Sequence, residues 1–192
     1  MIEILKHKGN PYWIPNHNRA DLPYLFKEIG FKKGVEVGVS WAQNIVDYCE
    51  AGLEIYGIDP WKNSEDNIYR KIISIPKEYA RTVDDVYNYA KTRTAKYSNC
   101  KLIRKLSMEA INDFLNRSLD FVYIDGDHRA EAVRADWELV KDRWDNFCLF
   151  DDYHLPTKKE ADIECASVID SIDHPSKELI MMDRRVFFDD RR

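Results

Sequence analysis

Carboxylates recur in this sequence at the ends of short apolar runs, and the residues beside them decide what chemistry they can do. Glu36 stands two residues before Gly38, Asp59 closes the run from Glu54, Asp125, Asp127 and His128 follow Leu119 to Ile124, and Asp151 and Asp152 follow Phe147 to Phe150. A carboxylate about 20 residues beyond a glycine turn is suited to grip the two hydroxyls of a ribose, and Asp59 occupies that place. Ser40 and Gln43 stand where a phosphate-cradling loop needs glycines for close backbone approach. Glu36, beside the turn, would repel a pyrophosphate yet tolerate a sulfonium or an ammonium group. A nucleoside without phosphates therefore fits better than a dinucleotide. Two adjacent carboxylates such as Asp151 and Asp152 repel each other unless a cation lies between them. His128 can take a proton near neutral pH, as a general base must. Asp127 is a second candidate for base or ligand, and either residue could instead cap the following helix.

These groups need a frame, and the chain alternates short runs rich in Val, Ile, Phe and Tyr with segments of helical periodicity. That pattern predicts an α/β fold, a doubly wound, Rossmann-like and mostly parallel seven-stranded sheet with helices on both faces and an antiparallel terminal hairpin. A first helix is expected from Asp21, with Pro23 in its first turn, Leu22, Leu25, Phe26 and Ile29 inward, and a stop at Gly30. Val35 to Val39 reads as a strand, and Ser40-Trp41-Ala42-Gln43 as a capping box opening a helix that ends at Gly52. Strands are expected at 54–59, 101–106, 119–124 and 147–150, and a closing pair between Glu178 and Asp190. Ser107 is expected to cap a helix burying Ala110, Ile111, Phe114 and Leu115, and Thr157 with Glu160 to form a second capping box. Ligands in such sheets sit beyond the carboxyl ends of the strands, where the winding reverses. The acidic groups lie at those ends.

The runs Val35-Glu36-Val37-Gly38-Val39-Ser40, Ile58-Asp59-Pro60-Trp61 and Phe121 to His128 resemble class I S-adenosylmethionine-dependent methyltransferases, and most closely the small metal-dependent O-methyltransferases of the sugar and catechol type. The resemblance covers roughly residues 30 to 155. It implies that Glu36 and Gly38 meet the methionine portion of S-adenosylmethionine, with Ser40 beside them, that Asp59 meets the ribose, and that Ser107 and Met108 meet the adenine. Asp125 would serve both the donor and a cation. The metal-dependent branch further implies a divalent ion on Asp125, Asp151 and Asp152, magnesium or manganese by the hardness of carboxylate oxygen, with His128 or Asp127 as base. Trp61 could wall the adenine or plug the core. Two departures are visible: the glycine turn is reduced to Gly38-Val39-Ser40-Trp41-Ala42, and Asp145-Asn146 replaces the usual Pro-Gly-Gly before the fifth strand.

At 192 residues the chain suits a single domain, 1–192, with an N-terminal helical segment at 1–30 and a lid or substrate wall at 61–99, where Tyr69, Tyr79, Tyr87 and Tyr89 could stack on a sugar. The formal charge of -5, with no basic tract interleaved with aromatics, argues against nucleic acid. No stretch has the length of a membrane span, no signal-peptide run opens the chain, and Cys49, Cys100, Cys148 and Cys165 lack metal-site spacing. A cytoplasmic enzyme acting on a small-molecule acceptor, a sugar among the candidates, is the leading expectation, and homo-oligomerisation stays open. Two alternatives remain: a metal-dependent glycosyltransferase using Asp125-Gly126-Asp127 as a D-x-D motif, and a non-catalytic domain that keeps the donor pocket.

Overall fold

Along the strand Leu119–Ile124, alternate side chains enter opposite cores, as the two-residue period of a strand requires. Phe121 and Tyr123 join one cluster with Phe26, Ile45, Tyr48 and Ala90, while Val122 and Ile124 join another with Val133, Trp137, Val140 and Val168. The sheet is thus buried on both faces, which explains the near-continuous apolar runs in its strands.

The computed structural model describes residues 12–14, 19–62, 82–151, 153, 160–174, 177–181 and 184–188. In chain order the elements are β1 (Tyr12–Ile14), α1 (Leu22–Glu28), β2 (Lys33–Val37), α2 (Gln43–Ala51), β3 (Glu54–Ile58), α3 (Val83–Thr94) and β4 (Cys100–Ile103). There follow α4 (Ser107–Ala110), β5 (Leu119–Ile124), α5 (Ala130–Val140), β6 (Trp144–Phe150), α6 (Glu160–Asp170), β7 (Lys177–Met181) and β8 (Arg184–Phe188). The spatial order is β1-β7-β8-β6-β5-β2-β3-β4. The five strands from β6 to β4 run parallel, and β8 pairs antiparallel with both β6 and β7. Helices α1, α2 and α3 cover one face, and α4, α5 and α6 the other. The chain winds outward from β2 through β3 to β4, then returns to the other side of β2 with β5, so the reversal falls between β2 and β5.

Several expectations need correction. The described residues contain eight strands rather than seven: Tyr12–Ile14, inside the segment read as helical, pairs with Leu179, Ile180 and Met181 of β7. Three residues are too short for a period of two to register in the sequence. No side chain caps α2; Ala42 precedes it in the left-handed region, and the Ser40-to-Gln43 capping box is absent because the Ser40 amide is engaged elsewhere. Leu106, not Ser107, precedes α4, and its amide is held by the Glu109 carboxylate. That helix stops after four residues, leaving Leu115 78% exposed. Of the 61–99 segment, α3 buries Val83, Val86, Ala90 and Thr94 as a crossover helix of the sheet, while 63–81, with Tyr69 and Tyr79, lie outside the described residues. Thr157 lies outside them too.

Candidate active site

Parallel pairing puts one residue from each strand end on a common rim. The amide of Asp59 donates to Ile103 O, that of Gly38 to Ile58 O, that of Asp125 to Val37 O and that of Asp151 to Ile124 O. Asp59, Gly38, Asp125 and Asp151 therefore follow β3, β2, β5 and β6 in consecutive spatial order, on strands about 4.8 Å apart. Gly38 lies at the reversal of winding. Its φ is +88°, and a Cβ there would lie 2.0 Å from the Asp125 carbonyl oxygen, so only glycine lets the ends of β2 and β5 meet.

The turn after Gly38 is held from below. Oδ2 of Asp59 accepts from the Val39 and Ser40 amides at 3.0 and 2.9 Å, and Oδ1 accepts from the Trp61 amide at 2.7 Å. At least three amides thus donate to this carboxylate, and Asp59 is only 2% exposed. Its first role in this chain is to shape the loop, in which Ser40 and Ala42 both take positive φ. The scarcity of glycine in the turn is offset by these bonds.

Glu36 is 1% exposed, and its Oε1 accepts from Asn44 Nδ2 at 2.7 Å. The same Nδ2 lies 3.4 Å from Asp125 Oδ2, so one amide on the first turn of α2 joins the carboxylates that end β2 and β5. Asn44 Oδ1 is buried and has no hydrogen-bond partner among the described residues. His128 Nε2 lies 3.7 Å from Asp125 Oδ1. Asp127 is drawn away from this group: the Arg129 guanidinium grips both its oxygens, with Nε 3.1 Å from Oδ1 and 2.8 Å from Oδ2. Burial alone would raise its pKa, but the hydrogen bonds and charge of Arg129 outweigh it and hold the carboxyl below its usual range. A carboxylate so stabilised is a poor base. The buried Asp151 accepts from the Tyr123 hydroxyl at 2.8 Å.

The comparisons with known proteins agree with this geometry. A family profile described as a methyltransferase domain matches residues 28–153, more than half of the chain. The chain belongs to the class I S-adenosylmethionine-dependent methyltransferases. Among solved structures, an O-methyltransferase from Bacillus cereus in complex with S-adenosylhomocysteine aligns with a TM-score of 0.57 at 12% identity, covering 91% of this chain and 84% of that one. The methyltransferase PaMTH1 of Podospora anserina, also bound to S-adenosylhomocysteine, aligns with a TM-score of 0.59 at 10% identity, covering 92% and 80%. At these identities the likeness is one of fold. An uncharacterized protein y4gI of Sinorhizobium fredii is 24% identical over 116 residues, which are 54% of this chain and 11% of that protein. The matched part thus spans a small fraction of that relative.

In this methyltransferase the remaining predicted site residues fall into two groups. Met108 is exposed and Ser107 half-buried in the segment that follows β4, and the Ser107 hydroxyl donates to Asp136 Oδ1 at 2.6 Å. Trp61 is fully buried: its indole donates to Ser40 O at 2.8 Å and its ring packs 4.8 Å from that of Tyr87. It supports the turn from within the core and offers no open face as a wall. Tyr87 and Tyr89, which could stack on a sugar or simply pack on the helix surface, are occupied by Trp61 and Trp41 and by the guanidinium groups of Arg104 and Arg93. Asp152 lies outside the described residues. Asn44, Tyr123 and Asp136 were missed by sequence reasoning, because each sits inside a helix or strand whose period is read for burial. The one available signal was a polar residue at a position the apolar stripe should own, as Asp136 is, one residue before Trp137. No helix among the described residues is long and apolar enough to cross a membrane, and the four cysteines are free thiols.

Proposed function

We propose that this methyltransferase acts on a hydroxyl group of a small molecule, with His128 as the base. The observation that carries the reading is the chain of contacts Glu36–Asn44–Asp125–His128 across the winding reversal. Its Glu36 end is a buried carboxyl group suited to pairing with an ammonium group. Its His128 end is partly exposed, where an acceptor can approach. Bound S-adenosylmethionine supplies a methyl group made electrophilic by the adjacent sulfonium. Glu36 would hold the amino-acid portion, the Gly38 turn and Asp59 the ribose, and Ser107 and Met108 the adenine. The residues fit this ligand, since the turn leaves no Cβ over the β2–β5 junction and Asn44 Oδ1 needs a donor. Asp125 would orient His128 to take the proton of the acceptor hydroxyl as its oxygen bonds to the methyl carbon and the carbon–sulfur bond breaks, leaving S-adenosylhomocysteine. Holding the partners in line supplies much of the rate.

We extend the proposal to a divalent cation on Asp125, Asp151 and Asp152, which when bound would lower the pKa of the acceptor hydroxyl. Among the described residues no cluster of three metal-ligating side chains occurs, Asp152 lies outside them, and the His128 mechanism does not depend on the ion. The glycosyltransferase reading is disfavoured: Arg129 occupies the second carboxylate of Asp125-Gly126-Asp127. Calorimetric titration with S-adenosylhomocysteine tests the donor; absence of heat removes the reading. Transfer of labelled methyl to a panel of catechols and monosaccharides, with manganese or with chelator, tests acceptor class and cation. His128→Ala is expected to lower kcat by about 10²–10⁴ while leaving donor affinity intact; unchanged kcat would reassign the base.

A further inference from the structure

Asp136 is a buried acid that the mechanism above does not use. It lies within α5, yet it faces the rim: Oδ1 accepts from the Ser107 hydroxyl at 2.6 Å, and Oδ2 lies 3.5 Å from where a Cβ on Gly126 would stand. It is therefore wedged between the loops that follow β4 and β5, and it is 8% exposed. We infer that Asp136 is a positioning residue that sets the base specificity of the donor site, by committing the single proton of Ser107 and leaving that hydroxyl only lone pairs to offer a ligand. The inference rests on the reading that Ser107 flanks the donor's base.

The argument is one of donor and acceptor inventory. A serine hydroxyl has one proton and two lone pairs, and an ionised carboxylate can only accept. A separation of 2.6 Å is that of a charge-assisted O–H···O⁻ bond. With its proton held by Asp136, Ser107 can accept from the 6-amino group of adenine, whereas the 6-oxo group of a hypoxanthine base would set lone pair against lone pair. Desolvation raises the Asp136 pKa to about 6, with Ser107 opposing and Asp127 adding to the shift, so the carboxylate is mostly ionised at pH 7.5 and mostly protonated at pH 5. Once protonated it can donate to Ser107, and the hydroxyl is released to serve either base.

The charged and titratable groups on the surrounding elements are few. Asp127, paired with Arg129, lies on the loop after β5 beside Asp125 and His128; Glu109 on α4 is engaged by the Leu106 amide; and α6 contributes the Cys165 thiol to the shared core. Titration of the groups near the methionine end alters the binding of both bases alike, because the two ligands differ only along the N1–C6 edge of the base, where the amino group becomes an oxo group and N1 gains a hydrogen. Their ratio isolates Ser107 and Asp136.

The test is calorimetry with S-adenosylhomocysteine and S-inosylhomocysteine on the full chain at pH 7.5 and pH 5, for the wild type, Asp136→Asn and Ser107→Ala. The wild type at pH 7.5 is expected to favour the adenosyl ligand by about tenfold or more, a preference that falls to within about threefold in Asp136→Asn, in Ser107→Ala, and in the wild type at pH 5. Either variant binding the adenosyl ligand with the wild-type ratio overturns the proposal, as does a ratio that does not move between the two pH values. Should Asp136→Asn fail to fold, Ser107→Ala, altered at a half-buried rim position, is sufficient to separate these outcomes. A wild type that binds neither ligand refutes the donor reading itself, a result distinct from binding both without preference.

Discussion

Replacing Gly38 by alanine probes the junction on which the site is built. The new Cβ would meet the Asp125 carbonyl oxygen at 2.0 Å, and the Asp125 carbonyl carbon and Gly126 Cα each at 2.5 Å. All three are backbone atoms, so no side chain can rotate away. An ordinary Cβ contact begins at 3.4 Å, and reaching it requires the ends of β2 and β5 to part by about 1 Å or more, enough to break the bond from the Asp125 amide to Val37 O. Left-handed backbone costs a non-glycine residue about 1–2 kcal/mol, a lost backbone hydrogen bond about 1 kcal/mol, and overpacking about 1–3 kcal/mol. The sum is about 3–6 kcal/mol, a large part of the stability of a domain of this size. Gly30→Ala is the matched control: φ is +94°, yet nothing lies within 4 Å of the added carbon, so it should lose only the backbone cost of about 1–2 kcal/mol. Urea unfolding of both variants, with S-adenosylhomocysteine calorimetry, checks the reasoning. Equal losses in the two variants, or undiminished ligand affinity in Gly38→Ala, would refute it.

Asn44→Ala takes the amide donor from the buried Glu36 carboxylate; a loss of about 2–3 kcal/mol is expected in denaturant unfolding, with weaker S-adenosylhomocysteine binding by calorimetry. Tyr123→Phe removes the hydroxyl that donates to buried Asp151 and should cost about 1–3 kcal/mol by the same measurement. For Asp136 the folded pKa, about 6, exceeds the value of 3.8 without perturbation, so the associated stability is complete below the unfolded pKa and is lost as pH rises through about 6. Asp136→Asn should therefore gain on the wild type by up to about 3 kcal/mol between pH 4 and pH 8, the linkage value of that shift; urea midpoints across that range check it, and parallel curves would contradict it. For Asp127 the folded pKa is depressed, so the sign reverses: its contribution is present above the unfolded pKa and is lost as pH falls through the folded one. Arg129→Met should raise the Asp127 pKa in a carboxyl NMR titration while changing stability at pH 7 by less than about 1 kcal/mol, because the pair is partly exposed.

What the sequence determined by itself was the frame. Apolar runs of four to six residues between helical segments suffice for a parallel sheet, because a strand buried on both faces must be apolar throughout, and Gly38, Asp59, Asp125 and Asp151 were legible as strand ends because each follows such a run. The tertiary structure alone decided what those ends do to one another. The capping box at Ser40 was a sound local reading that lost to Asp59, whose carboxylate reaches from the next strand to take the Val39 and Ser40 amides. Local hydrogen bonds are weak enough for a better-placed charged acceptor to displace them. Of the two roles the sequence left open for Trp61, its burial agrees with the support, since its indole finds the Ser40 carbonyl only after the turn has folded. Asn44 had no sequence signature at all, and Asp136 only its polar character inside an apolar stripe. Their partners lie 81 residues away at Asp125 and 29 away at Ser107, and a polar residue on a helix announces a distant partner only when packing brings that partner within hydrogen-bond reach.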